Sequence, residues 1–165
     1  MSEKLKFTKV RSVKSPNRGT QGSAGIDFFI PDDFPSLVLQ HGESCLIPSG
    51  IKVRVPDNYA LIAQNKSGIA SKKCLDIMAC VIDSDYQGEV HINLINNGNS
   101  LQELKAGDKI IQFLLTPISH CDVEEVSLEE LYPIVSDRGE GGFGSTDNKP
   151  EEKTPWNTDR LGRIV

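Results

Sequence analysis

The sequence predicts an all-β protein, a sandwich or jelly roll of short strands, with one short helix and a flexible glycine-rich C-terminal arm. Three observations predict it. Short apolar segments recur between turn residues along most of the chain. Several alternate apolar with polar, the period-two pattern of a strand with one buried face. Fourteen glycines and nine prolines punctuate them, which suits many turns and not a helical bundle.

Residues 5–13 alternate weakly and read as an edge strand. A polar loop over 17–23 leads into Ala24-Gly25-Ile26-Asp27-Phe28-Phe29-Ile30, where an acid interrupts an apolar strand. A carboxylate buried there must be paired, hydrogen-bonded or functional, because an unpaired one is costly. Residues 37–39, 45–47 and 51–55 read as three short strands, separated by Gly42, by Pro48-Ser49-Gly50 and by Pro56-Asp57-Asn58. Residues 59–63 form another strand and run into Gln64-Asn65-Lys66-Ser67-Gly68-Ile69-Ala70. Ser67 reads as the N-cap of a short helix, and hydroxyl, helix-start N–H groups and Lys66 together suit an anion. A plain capped turn carries the same letters.

The organising stretch covers residues 77–94. Ile77 to Ile82 is apolar; beyond Gly88, Val90, Ile92 and Leu94 alternate with Glu89, His91 and Asn93. This reads as a β-hairpin with Asp83, Asp85 and Tyr86 at its tip and Gly88 supplying positive φ for the turn. A carboxylate held on such a tip can orient a water, and the aromatic can wall off a small ligand. An ordinary hairpin with a solvated turn would show the same pattern.

Asn96-Asn97-Gly98-Asn99 and Ala106-Gly107-Asp108 are turns, and residues 109–115 form an apolar strand with Gln112 inside it. Ser127-Leu128-Glu129-Glu130 fits a capping box for one helical turn. From residue 138 the composition changes: Arg138-Gly139-Glu140-Gly141-Gly142-Phe143-Gly144-Ser145-Thr146 places four glycines around one aromatic. Glycines let backbone N–H groups approach phosphate oxygens, Arg138 can pair with phosphate, and Phe143 can stack on a base. A glycine-rich linker accounts for the glycines alone. The expected division is a β domain over 1–137 and an arm over 138–165 that carries Trp156.

A net charge of −5 implies no general affinity for nucleic acid. The hydrophobic fraction of 38% supports a modest core that oligomerisation would extend. The four cysteines form no C-x-x-C pair and the three histidines are scattered, which argues against zinc and for buried free thiols in a reducing compartment. The N-terminus lacks an apolar signal core, and no apolar run reaches membrane-spanning length, so the expectation is a soluble cytoplasmic protein without membrane partners.

Five motifs in this order resemble the trimeric deoxyuridine triphosphatase (dUTPase) family: Ala24 to Asp27, Lys66 to Ala70, Val81 to Glu89, Gly107 to Gln112 and Arg138 to Thr146. The resemblance implies a jelly-roll homotrimer with sites shared between subunits, converting dUTP and water to dUMP and pyrophosphate with Mg²⁺. It implies Asp83 as general base and Tyr86 as the wall under the deoxyribose. The backbone around Ala79, Cys80, Val81 and Ile82 would read the uracil edge. Lys66, Ser67, Gly68 and Gln112 would hold phosphates. Arg138, Phe143, Gly144, Ser145 and Thr146 would close over the nucleotide from another subunit. Magnesium would be held mainly through substrate phosphates, with Asp27 linked to it indirectly. Lys66 and Lys109 stand where the family usually has arginine, and Cys80 where it often has glycine. The same fold also hosts dCTP deaminases, bifunctional deaminase–triphosphatases, and regulatory nucleotide- or protein-binding members.

Overall fold

The structure, a computed structural model, describes residues 4–142. The chain divides into two compact units between Cys121 and Asp122.

The first unit is built of antiparallel sheets. One has the order β1 (Lys6–Lys9), β4 (Ser44–Arg54), β8 (Glu89–Asn96), β6 (Leu75–Ile77). The second has the order β2 (Ile26–Phe28), β10 (Ile111–Pro117), β5 (Tyr59–Asn65), β7 (Val81–Ile82). The third pairs β3 (Leu37–Leu39) with β9 (Gln102–Leu104). The helix α1 (Ser67–Lys73) follows β5. Alternation does what it promised in β8: Val90, Ile92 and Leu94 are buried while Glu89, His91 and Asn93 are not. These side chains share one core with Phe28, Ile47, Leu61 and Phe113. The Phe28 and Phe113 rings lie 4.6 Å apart, tilted by 55°, an arrangement that adds to their area burial. Each fully buried side chain of this size contributes about 1.5–3 kcal/mol.

Several expectations need correction. Residues 45–47 and 51–55 are not two strands: all but Val55 belong to β4, which runs through Pro48-Ser49-Gly50 with a register shift between Pro48 and Lys52. Gly50 sits at φ +74°, so the segment read as a turn is a bulge, where proline and a left-handed glycine are both tolerated. The 77–94 stretch is not a simple hairpin. Both edges of β8 are occupied, by β4 and β6, so β7 has no place beside it. The chain leaves the first sheet after Met78, whose N–H reaches Asn93 O, and β7 joins the edge of β5 in the second sheet. The acid-bearing tip is therefore a bridge between sheets. Gly88 has no positive φ; a Cβ there would lie 2.2 Å from the Tyr86 hydroxyl oxygen, so glycine is required by the ring's close approach. The helix N-cap is Lys66, not Ser67, which occupies the first helical position. Three of the four free cysteines, Cys74, Cys80 and Cys121, are exposed in the single chain. The strand β9 carries one buried apolar residue, Leu104, too little to show periodicity.

In the second unit, α2 (Leu128–Leu131) makes a second short helix, with the expected capping box: Ser127 accepts the Glu130 N–H and Glu130 accepts the Ser127 N–H. No helix among the described residues is long and apolar enough to cross a membrane.

Candidate active site

Strand β5 ends at Asn65 and delivers Lys66 to the start of α1. Across the sheet, Gln112 of β10 stands opposite Asp27 of β2 and Gln64 of β5. This juxtaposition forms a cavity of about 240 Å³ lined by Lys66, Ser67, Gly68, Ile69, Lys109 and Gln112. Asp27, only 4% exposed, pairs through one oxygen with Lys66 Nζ and through the other with Lys109 Nζ at 3.1 Å. Burial would push its carboxyl up, but the two ammonium groups outweigh burial and hold it below the usual carboxylate range. The interrupting acid of the sequence is thus a clamp on two cations, and the cavity it serves has the charge to receive an oligoanion. Gln112 Nε2 donates to Asn65 O at 2.8 Å. A Cβ on Gly25 would lie 2.1 Å from Gln112 Oε1, so Gly25 is what lets the amide lie there.

A second cavity, about 230 Å³, is lined by Ala79, Cys80, Val81, Ile82, Asp83 and Tyr86, all expected site residues, and by Val90, His91 and Phe113. Cys80 O accepts the Ala63 N–H at 2.7 Å. Alternation along an antiparallel ladder then turns the N–H and C=O of Val81 away from β5, toward the side of β7 that no described strand occupies. One backbone donor and one acceptor are thus left for a ligand. Asp83 and Tyr86 lie on the bridge beyond, exposed, joined by a Tyr86 N–H to Asp83 O bond of 3.3 Å.

Arg138 belongs to the second unit, where its Nε donates to Gly141 O at 2.7 Å and Gly139 sits at φ +51°. Phe143, Gly144, Ser145 and Thr146, and with them the expected closing arm, lie outside the described residues. Sequence reasoning singled out Lys109 only as a lysine in place of the family's arginine, and did not single out His91. The cation opening an apolar strand signalled Lys109; His91 had no signal beyond its outward phase.

An antiparallel β domain with a lysine-lined cavity for an anion and a backbone-lined cavity for a flat polar ring has the parts of a nucleotide-binding protein. The chain belongs to the dUTPase family, whose model matches residues 11–147. It is similar to the deoxyuridine 5'-triphosphate nucleotidohydrolase of Wolbachia pipientis, 37% identical over 143 residues that cover 86% of this chain and 92% of that one. The Candida albicans protein of that name is 40% identical, covering 81% and 80%. The Mus musculus protein is 37% identical, covering 86% and 84%. Among solved structures, the dUTPase of Staphylococcus bacteriophage 80alpha with dUPNHPP superposes with a TM-score of 0.76 at 25% identity, covering 87% of this chain and 98% of that one. A mutant dUTPase of the S. aureus phage phi11, whose structure reveals the coordination of a structural Mg(II) ion, gives 0.67 at 23% identity, covering 77% and 99%.

Proposed function

We propose that this chain hydrolyses dUTP to dUMP and pyrophosphate, which limits uracil in DNA and supplies dUMP for thymidylate synthesis, at sites each built from more than one copy. The observation that carries this reading is the second cavity, where the free backbone pair of Val81 and the carboxylate of Asp83 meet one pocket.

Uracil offers carbonyl oxygens and an N3–H, which match a backbone N–H and C=O. Cytosine reverses part of that pattern and would leave a buried group unpaired, a penalty large enough to reject it. Tyr86 stands beside this edge, placed to pack under a deoxyribose and leave no space for a 2′-hydroxyl. Asp83 accepts a proton from water as its oxygen attacks the α-phosphorus. The bond from that phosphorus to the bridging oxygen breaks, and pyrophosphate leaves with the electron pair. Lys66, Lys109, Ser67, Gly68 and Gln112 supply donors and charge for the phosphates, where charge grows as the bond breaks. Arg138 and the segment 143–146 complete this reading as the closing arm from another subunit.

The residues present fit magnesium only as a passenger on the substrate. Asp27 has both oxygens on ammonium groups, and no cluster of three or more metal-ligating side chains exists among the described residues. An ion carried on the triphosphate oxygens would offset their charge.

The shared-site homotrimer rests on the family resemblance and the modest apolar content, and the two separate cavities suit it. Gln112 lines the lysine cavity and Phe113 the backbone cavity. The two cavities share no lining residue, and we read them as halves of one site, with phosphates and base held by different copies. The four free cysteines suit a reducing, cytoplasmic setting. The test is pyrophosphate release from a panel of deoxynucleotides and UTP, with and without Mg²⁺. Turnover confined largely to dUTP is expected; ammonia release from dCTP as the main activity would overturn the reading.

A further inference from the structure

We propose that Glu89 is a positioning residue that sets sugar selectivity by holding Tyr86 in place. The proposal rests on the reading of Tyr86 as the wall beneath the deoxyribose.

Tyr86 is 43% exposed, so packing alone leaves its ring free to swing. Two things restrain it: the bare backbone of Gly88, against which the ring lies, and a hydrogen bond from its hydroxyl to Glu89 O at 3.0 Å. His91 Nδ1 lies 2.9 Å from the same carbonyl oxygen and, as its donor, restrains it from the other side. The position of that carbonyl therefore decides where the ring stands.

The Glu89 side chain fixes the carbonyl. Its Oε1 accepts the Gly50 N–H at 2.7 Å and Arg11 Nε at 3.1 Å. Gly50 is the left-handed residue of the β4 bulge, and Glu89 pairs with Lys52 immediately beyond the register shift. A bulge leaves a backbone N–H without a ladder partner, and the carboxylate takes it. The bulge is itself held from the N-terminal segment: Val10 N–H donates to Gly50 O at 2.8 Å, and a Cβ on Gly50 would meet Val13 and Arg11 at 3.0 and 3.1 Å. The start of β8 is thereby pinned to two other segments by one side chain that is only 17% exposed. The line runs from Arg11 and the bulge, through Glu89, to the Tyr86 hydroxyl.

The experiment compares kcat and KM for dUTP and UTP in the wild type, Glu89→Ala, Glu89→Gln, Tyr86→Phe, Tyr86→Ala and the double variant Glu89→Ala/Tyr86→Phe. Glu89→Ala is expected to cut the preference for dUTP over UTP about tenfold, mainly through KM, as expected when a pocket wall shifts. Glu89→Gln keeps an oxygen for the Gly50 N–H and is expected to retain most of the preference. The double variant is expected to match the worse single variant, because both changes break one restraint. Unchanged preference in Glu89→Ala, or losses that multiply in the double variant, would overturn the proposal. Unchanged preference in Tyr86→Ala would instead overturn the reading on which it rests. Were Glu89→Ala too unstable to assay, Arg11→Met loosens the same anchor: a smaller loss of preference supports the proposal, and none overturns it.

Discussion

Gln112 and Phe113 are neighbours on β10 and serve different cavities: Gln112 faces the lysines, and Phe113 faces the pocket of Val81 and Asp83. The two cavities share no lining residue, so in one chain the lysines and the free backbone edge of Val81 stand in separate pockets.

This separation predicts complementation. Lys66→Ala and Asp83→Asn damage different cavities, so each variant alone should be nearly inactive. Mixed assemblies should regain activity, reaching about a quarter of wild type if copies associate at random in a closed ring and each site draws on two of them. The check is pyrophosphate release after co-refolding the two variants. Mixtures no more active than their parents would place both halves of the site in one copy.

Asp83→Asn should lower turnover by about 10²–10⁴-fold while dUTP still binds, since an amide nitrogen cannot take the proton of the attacking water. Single-turnover kinetics beside titration calorimetry separates the two effects. Wild-type turnover in this variant would remove Asp83 from the role of base.

Asp27 carries a pH dependence. Its folded pKa lies below the ordinary 3.8 because Lys66 and Lys109 outweigh burial. A depressed carboxyl contributes stability that is complete above its unfolded pKa and fades as pH falls through the folded one. Asp27→Asn should therefore cost about 1–3 kcal/mol at pH 7, because the amide keeps an acceptor for only one ammonium, turns a donor toward the other and removes the charge. The difference from wild type should shrink below the ordinary 3.8. Urea unfolding of both proteins at neutral and acid pH measures it; a pH-independent difference would contradict the clamp.

Gly25→Ala should leave the fold intact and raise KM for dUTP. The new Cβ would fall 2.1 Å from Gln112 Oε1, and the flexible amide is the part that can yield, withdrawing from the lysine cavity. Overpacking of this kind costs about 1–3 kcal/mol where nothing yields, so a small stability change with a clear rise in KM is the diagnostic result.

The assembly should scatter light as three times the 18.1 kDa of one chain. A monomer mass at micromolar concentration would remove the shared-site reading altogether.

Much of this protein was legible in its letters. The period-two alternation of β8 decided which side chains are buried, because a strand puts its side chains on alternate faces whatever its partner. An acid inside the apolar run at Asp27 announced a carboxylate that must be paired, hydrogen-bonded or functional, because burial of a lone charge is too costly to persist, and the fold paired it. Five motifs in order carried the family resemblance. What no local pattern could decide was pairing. Val81 and Ile82 have the letters of a strand but do not say that β8 already has two partners, so the expected hairpin became a bridge between sheets. Pro48-Ser49-Gly50 has the letters of a turn, yet long-range bonds from Glu89 and Val10 hold it as a bulge within one strand. Gly88 owes its identity to Tyr86 rather than to φ. Local sequence sets the phase of side chains along a strand; competition among strands for hydrogen-bonding edges sets which strands meet, and only the folded chain resolves that competition.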